Sequence, residues 1–226
     1  MSINITEIAF ILDRSGSMQS IAEATVESFN SFLATQQKEH EELPARLTLV
    51  LFDTEFEILY ASVPVPEVKR LDQATYRPDG CTALLDAIGH TIQETGKRLA
   101  ALDEKDRPTT VIIAILTDGE ENSSKLYNHQ KIHEMIKHQQ DVYSWKFLFL
   151  GANQDAIATA AKMGIQRGNS ANFYQTESGI HAAARASERF CFSLKSRPSG
   201  PTLDFDDLVR EEEALVPSKP VPIAKP

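Results

Sequence analysis

The chain has 226 residues, room for one α/β domain of ordinary size and a tail; 42% apolar and 24% charged residues are normal for a globular protein with a full core. A net charge of −9 argues against nonspecific nucleic-acid binding, which needs a basic surface to neutralise phosphates. Two cysteines, Cys81 and Cys191, are too few for a disulfide framework and read as reduced thiols.

The N-terminus "MSINITEIAFILD" has no basic region, and its apolar run is too short for a signal peptide. No segment approaches the roughly 20 apolar residues of a membrane span. The expectation is a cytoplasmic protein with no membrane partner.

"IAFIL" (8–12) is a continuous apolar run of the kind found in strands buried on both faces. Ile21, Val26, Phe29, Phe32 and Leu33 then recur near helical spacing, predicting a helix over 20–38. "ARLTLVLFDTEFEILYA" (45–61) gives two β-rich runs around Asp53-Thr54-Glu55, a hairpin that makes one strand antiparallel. Pro64, Pro66 and Pro78 punctuate a loop ending in "PDGCTALL", after which Leu84, Leu85, Ile88, Ile92 and Leu99 fit a second helix.

"TTVIIAILTDG" (109–119) is the strongest strand and reads as central. A helix over about 126–139 follows, then the buried strand "WKFLFLGAN" and a helix over 155–163 closed by Gly164. A weak strand over 167–173 and a last helix over 176–194 complete a domain spanning residues 1–195. The alternation predicts a doubly wound, mostly parallel six-stranded sheet with one antiparallel edge strand and helices on both faces. Residues 196–226 are rich in proline and acid, with isolated apolar side chains, and read as an extended or disordered tail. Leu203, Phe205 and Leu208 within it read either as a docking motif or as side chains laid across the domain.

In a doubly wound sheet, ligands bind beyond the carboxyl ends of the strands where the strand order reverses. "IAFIL" leads into Asp13-Arg14-Ser15-Gly16-Ser17, and "VIIAIL" leads into Thr117-Asp118-Gly119. If those strands are neighbours, Asp13 and Asp118 converge, and a helix starting near Thr82 adds its hydroxyl. Two carboxylates and three hydroxyls form an all-oxygen set suited to Mg²⁺, with Mn²⁺ or Ca²⁺ as alternatives. The competing reading is that Asp13 and the serines only cap the first helix.

Asp-x-Ser-x-Ser after the first strand, a distant threonine and a later Thr-Asp-Gly resemble the von Willebrand factor type A (VWA) domain over roughly residues 3–195. The resemblance implies a metal-ion-dependent adhesion site (MIDAS) formed by Asp13, Ser15, Ser17, Thr82 and Asp118, binding Asp or Glu of a partner protein. It also implies an intracellular assembly, stress-response systems included. Two aspartates balance a divalent cation, and with three neutral hydroxyls they leave about one octahedral position open, while helix N-termini at the crevice favour an anion. Met18, Cys81, Glu120, Glu121 and Gln154 are expected on the rim that contacts the partner.

The rival function is a metal-dependent phosphohydrolase, because a strand ending in Asp also resembles the haloacid-dehalogenase-type phosphatases. Ser15 stands where those enzymes have their second acid, so the general acid is missing and the expectation is no catalysis. A third reading is a structural subunit whose metal only rigidifies loops. His129 and His133, at i and i+4 with His138 beyond, have zinc-like spacing but sit in "HQKIHEM" among polar residues, as on a solvated helix face. Trp145 reads as core.

Overall fold

The computed structural model describes residues 4–152, 156–198, 200 and 203–215. Six strands form one sheet: β1 (Thr6–Asp13), β2 (Ala45–Phe52), β3 (Phe56–Pro64), β4 (Thr110–Thr117), β5 (Lys146–Ala152) and β6 (Ser170–Phe173). Their order is β3-β2-β1-β4-β5-β6, parallel throughout except for β3, which pairs antiparallel with β2 at the edge. The chain runs outward from β1 to β3 and returns with β4 on the other side of β1. The strand order therefore reverses between β1 and β4, where a doubly wound sheet opens its crevice.

All eight residues of β1 and all eight of β4 are buried, as expected of central strands covered on both faces. Their side chains alternate between two cores. Ile8, Phe10 and Leu12 pack with α1 (Ala22–Glu39) and α5 (Glu177–Ser196). Ala9 and Ile11 pack with α2 (Leu84–Ala100), α3 (His129–Tyr143) and α4 (Ala156–Lys162). Trp145 belongs to this second core.

Several boundaries shift for local reasons. A short 3₁₀ segment, Gly16–Ile21, precedes α1, so the α-helix begins later than the sequence pattern predicts. Helix α3 starts at His129 because the Asn128 side chain accepts a hydrogen bond from Lys131 N (2.9 Å). Thr176 caps α5 in the same way through Gly179 N (3.1 Å).

Part of the acid-rich segment departs from the extended or disordered expectation. Asp204 accepts from the amides of Asp206 and Asp207 and starts α6 (Phe205–Ala214). Phe205, Leu208 and Val209, at i, i+3 and i+4, are buried in the α1/α5 core, with the Phe205 ring 5.1 Å from that of Phe190. Glu212 fastens the helix through Arg185 and Arg189 of α5 (2.8 and 3.0 Å). Phe205→Ala is therefore expected to cost the whole domain about 3–5 kcal/mol in urea unfolding. A loss below about 1 kcal/mol would mean that α6 is an appendage.

Candidate metal centre

Strand register brings the first and third motifs together. Leu12 lies opposite Leu116, so Asp13 and Thr117 end adjacent strands, and Thr117 Oγ1 donates to Asp13 Oδ2 (2.5 Å). The other Asp13 oxygen accepts from Ser15 N (2.7 Å), and Tyr76 OH donates to the Asp13 carbonyl (2.5 Å). Asp13 thus sits at 0% exposure in a fixed orientation.

The hydroxyls complete the ring. Ser15 Oγ and Ser17 Oγ are 3.1 Å apart, and Ser17 Oγ donates to Asp118 Oδ1 (2.6 Å). Gly119 lies against the threonine: a Cβ there would fall 2.8 Å from Thr82 Oγ1 and 3.5 Å from Ser17 Oγ. All five predicted positions therefore gather at the β1/β4 crevice. Neither serine acts as a helix cap: Ser15, at the N-cap of the 3₁₀ segment, makes no side-chain capping bond, and α1 has no side-chain cap. The capping reading fails on that geometry.

The second motif is held by its own frame. Gly80 adopts φ +72°, and a Cβ on it would meet Thr54 Oγ1 at 2.7 Å, so the tight turn before Thr82 requires glycine. Thr82 N donates to Asn122 Oδ1 (2.9 Å), and Asn122 N returns a bond to Thr82 O (3.1 Å). The Thr82 hydroxyl is left to face Gly119 and Ser17.

The electrostatics favour a cation. Burial is the main cause that raises the Asp13 carboxyl from 3.8 to about 6, with the nearby Asp118 charge adding to it. Burial also raises Asp118. The adjacent Arg14 is turned away, pairing with Asp53 (2.8 Å) and Glu57 (2.9 Å). Among the described residues no Lys, Arg or His pairs with Asp13 or Asp118. A desolvated acid pair ringed by hydroxyls has the chemistry of a hard divalent-cation site. With only two carboxylates, it falls short of a cluster of three or more His, Cys, Asp or Glu, and no such cluster occurs among the described residues. The helix α3 histidines accordingly do not converge: His133 Nδ1 contacts Lys162 O (3.2 Å), and the His138 ring meets Tyr143 edge-on.

The expected rim needs correction. Met18 is at 0% exposure, part of the α1/α5 core, because the 3₁₀ turn points it inward immediately after Ser17. Glu121 is a fastener rather than a contact residue. Its carboxylate accepts from Leu85 N (2.9 Å) in the first turn of α2, and also from Ser123 N, Ser124 N and Ser124 Oγ. Glu121→Ala is expected to lose about 1–2 kcal/mol of stability while leaving metal affinity within about twofold. A large fall in affinity without loss of stability would return Glu121 to the site. Cys81 and Glu120 are exposed at the mouth, and Gln154 lies outside the described residues.

The sequence reading missed Gln175, in the turn after β6. Its amide Nε2 donates to Ser17 O (3.1 Å) and to Asp118 Oδ2. The only signal was position: a polar residue following the last, four-residue strand.

No family model matches the sequence, and no curated protein matches it. Solved structures do. Proximal thread matrix protein 1 from the mussel byssus is similar at TM-score 0.57 and 12% identity, over 80% of this chain and 46% of that one. Another structure of that mussel protein has a zinc-occupied MIDAS motif. A von Willebrand factor type A protein from Catenulispora acidiphila matches at TM-score 0.52 and 14% identity, over 82% and 42%. The SpRpn10 VWA domain matches at TM-score 0.54 and 10% identity, over 82% and 95%. The chain thus spans under half the length of the mussel and Catenulispora chains.

Proposed function

We propose that this chain, which has the von Willebrand factor type A fold, is a divalent-metal-dependent protein-binding module. Asp13, Ser15, Ser17, Thr82 and Asp118 hold Mg²⁺, with Mn²⁺ or Ca²⁺ as alternatives, and the ion takes an Asp or Glu side chain of a partner protein. The observation that carries this reading is the buried acid pair, ringed by hydroxyls at the switch point of the sheet and without a cationic side chain among the described residues. Bound there, the ion supplies the positive charge that the pair lacks and a coordination position for the partner's acid.

This chain's residues divide the remaining work. Thr117 and the Ser15 amide fix the Asp13 carboxylate. Asp53 and Glu57 keep the Arg14 guanidinium from neutralising it. Ser17, Cys81 and Glu120 are exposed around the mouth, where a partner approaches. The rival phosphohydrolase reading would need a second acid where Ser15 stands, and among the described residues the Glu121 carboxylate is committed to Leu85 N, Ser123 N and Ser124. No helix among the described residues is long and apolar enough to cross a membrane. An intracellular, stress-response setting rests on the sequence resemblance alone.

The test is affinity capture with the full chain in Mg²⁺ and in chelator, repeated with Asp13→Asn. The expected result is a partner retained only by the wild type with metal. Retention indifferent to chelator would leave the metal a structural role, and Asp13-dependent turnover of an aryl phosphate would replace the reading with an enzyme.

A further inference from the structure

A second cleft, of about 420 Å³, lies between the last turns of α2 and α3. Its floor includes Val111, the second residue of β4, six residues from Thr117 and thus about 20 Å along the strand from the metal-site end. We propose that this cleft binds a small aromatic carboxylate.

The volume is within the range of small-molecule sites, roughly 300–1,000 Å³, and the lining has their composition. Leu99, Val111 and Trp145 form a buried apolar floor. Gly96 opens one wall: a Cβ there would meet nothing within 4 Å. The opposite wall carries the His138 and Tyr143 rings, already paired edge-on at 5.7 Å, an arrangement that presents aromatic surface to a flat guest.

The charge at the mouth selects an anion. Among the described lining residues Arg107 is the one fixed charge, in a chain of net charge −9. It donates from Nε to Leu102 O (3.2 Å) and from Nη2 to Ala100 O (3.5 Å), which compensates the negative end of α2. Among the described residues no carboxylate pairs with it, so Nη1 remains for a ligand's carboxylate. The end of α3 is likewise satisfied: the amides of Ser144 and Trp145 donate to Gln140 O and Gln139 O (both 3.1 Å). A flat apolar body over Trp145 with an acid reaching Arg107 uses both features.

Trp145 is the only tryptophan, so its single indole N–H cross-peak in a ¹H–¹⁵N spectrum reports from the cleft floor. The probes are 2-naphthoate and its neutral analogue 2-naphthamide, titrated into the full chain. The expected result is a saturable shift of the indole peak, with naphthoate binding about tenfold tighter than naphthamide. Arg107→Gln removes that preference. Gly96→Leu, which fills the open wall and improves helix propensity, abolishes binding without lowering the melting temperature. An unmoved indole peak, equal affinity for both probes, or binding that survives Gly96→Leu would overturn the proposal. Chelator leaves the naphthoate affinity unchanged; a shift would place the probe at the metal centre instead and overturn it too.

Discussion

Asp13→Asn is expected to abolish Mg²⁺ binding and at the same time to raise the melting temperature of the metal-free protein at pH 7. Two opposite effects in one variant follow from one cause. The Asp13 carboxyl is fully buried with no cationic side chain paired to it among the described residues, and burial holds it at about 6 instead of 3.8. Keeping it ionised at neutral pH costs the metal-free fold up to about 3 kcal/mol. Asparagine is close in shape, keeps an oxygen to accept from the Ser15 amide, and carries no charge to desolvate. Allowing for an imperfect bond to Thr117, the gain is about 1–3 kcal/mol, or roughly 3–9 °C for a domain of this size. The same change removes one of the two charges that balance a divalent ion, so added Mg²⁺ no longer stabilises the variant. Thermal melts of both proteins in chelator and in Mg²⁺ read both effects. A variant that melts lower than the wild type in chelator would mean that Asp13 is a structural acceptor first.

The second large effect is on pH. In the metal-free fold the carboxyl binds its proton more tightly than in the unfolded chain. Metal-free stability is therefore highest at acid pH in this respect and falls as pH rises from about 4 to about 6. Metal binding runs the other way, because the ion competes with the proton. Mg²⁺ affinity is expected to be level above about pH 7 and to fall by about tenfold per pH unit below about 6. Asp118, raised by partial burial, steepens the acid limb. Calorimetric titration at several pH values measures it, and an affinity unchanged between pH 7 and 5 would remove Asp13 from the ligand set.

Much of this molecule was legible in its sequence. The uniformly apolar runs of β1 and β4 announced central strands, and a strand-turn-strand run announced the antiparallel edge. Those two central strands bring Asp13 beside Thr117 by register alone, so one correct pairing placed most of the candidate site. What stayed hidden depends on side-chain direction or on weak local signals. Met18 follows an exposed serine, and only the 3₁₀ turn decides that it points inward. Glu121 looks like any acidic loop residue until its carboxylate meets the amides at the start of α2. Helix α6 offers three apolar side chains in an acid-rich stretch, too little to call for a core, and it forms because a core already built by α1 and α5 receives them. Gln175 follows a four-residue strand with no pattern of its own.

An exchange-accessible metal bound by the five oxygens is best read through water-proton relaxation during a Mn²⁺ titration. The prediction is one site per chain with enhanced relaxation, quenched when a small carboxylate such as acetate displaces the bound water, and absent in Asp13→Asn. A wild type with no such site, a bound ion that no external carboxylate reaches, or a signal that persists in Asp13→Asn would contradict it.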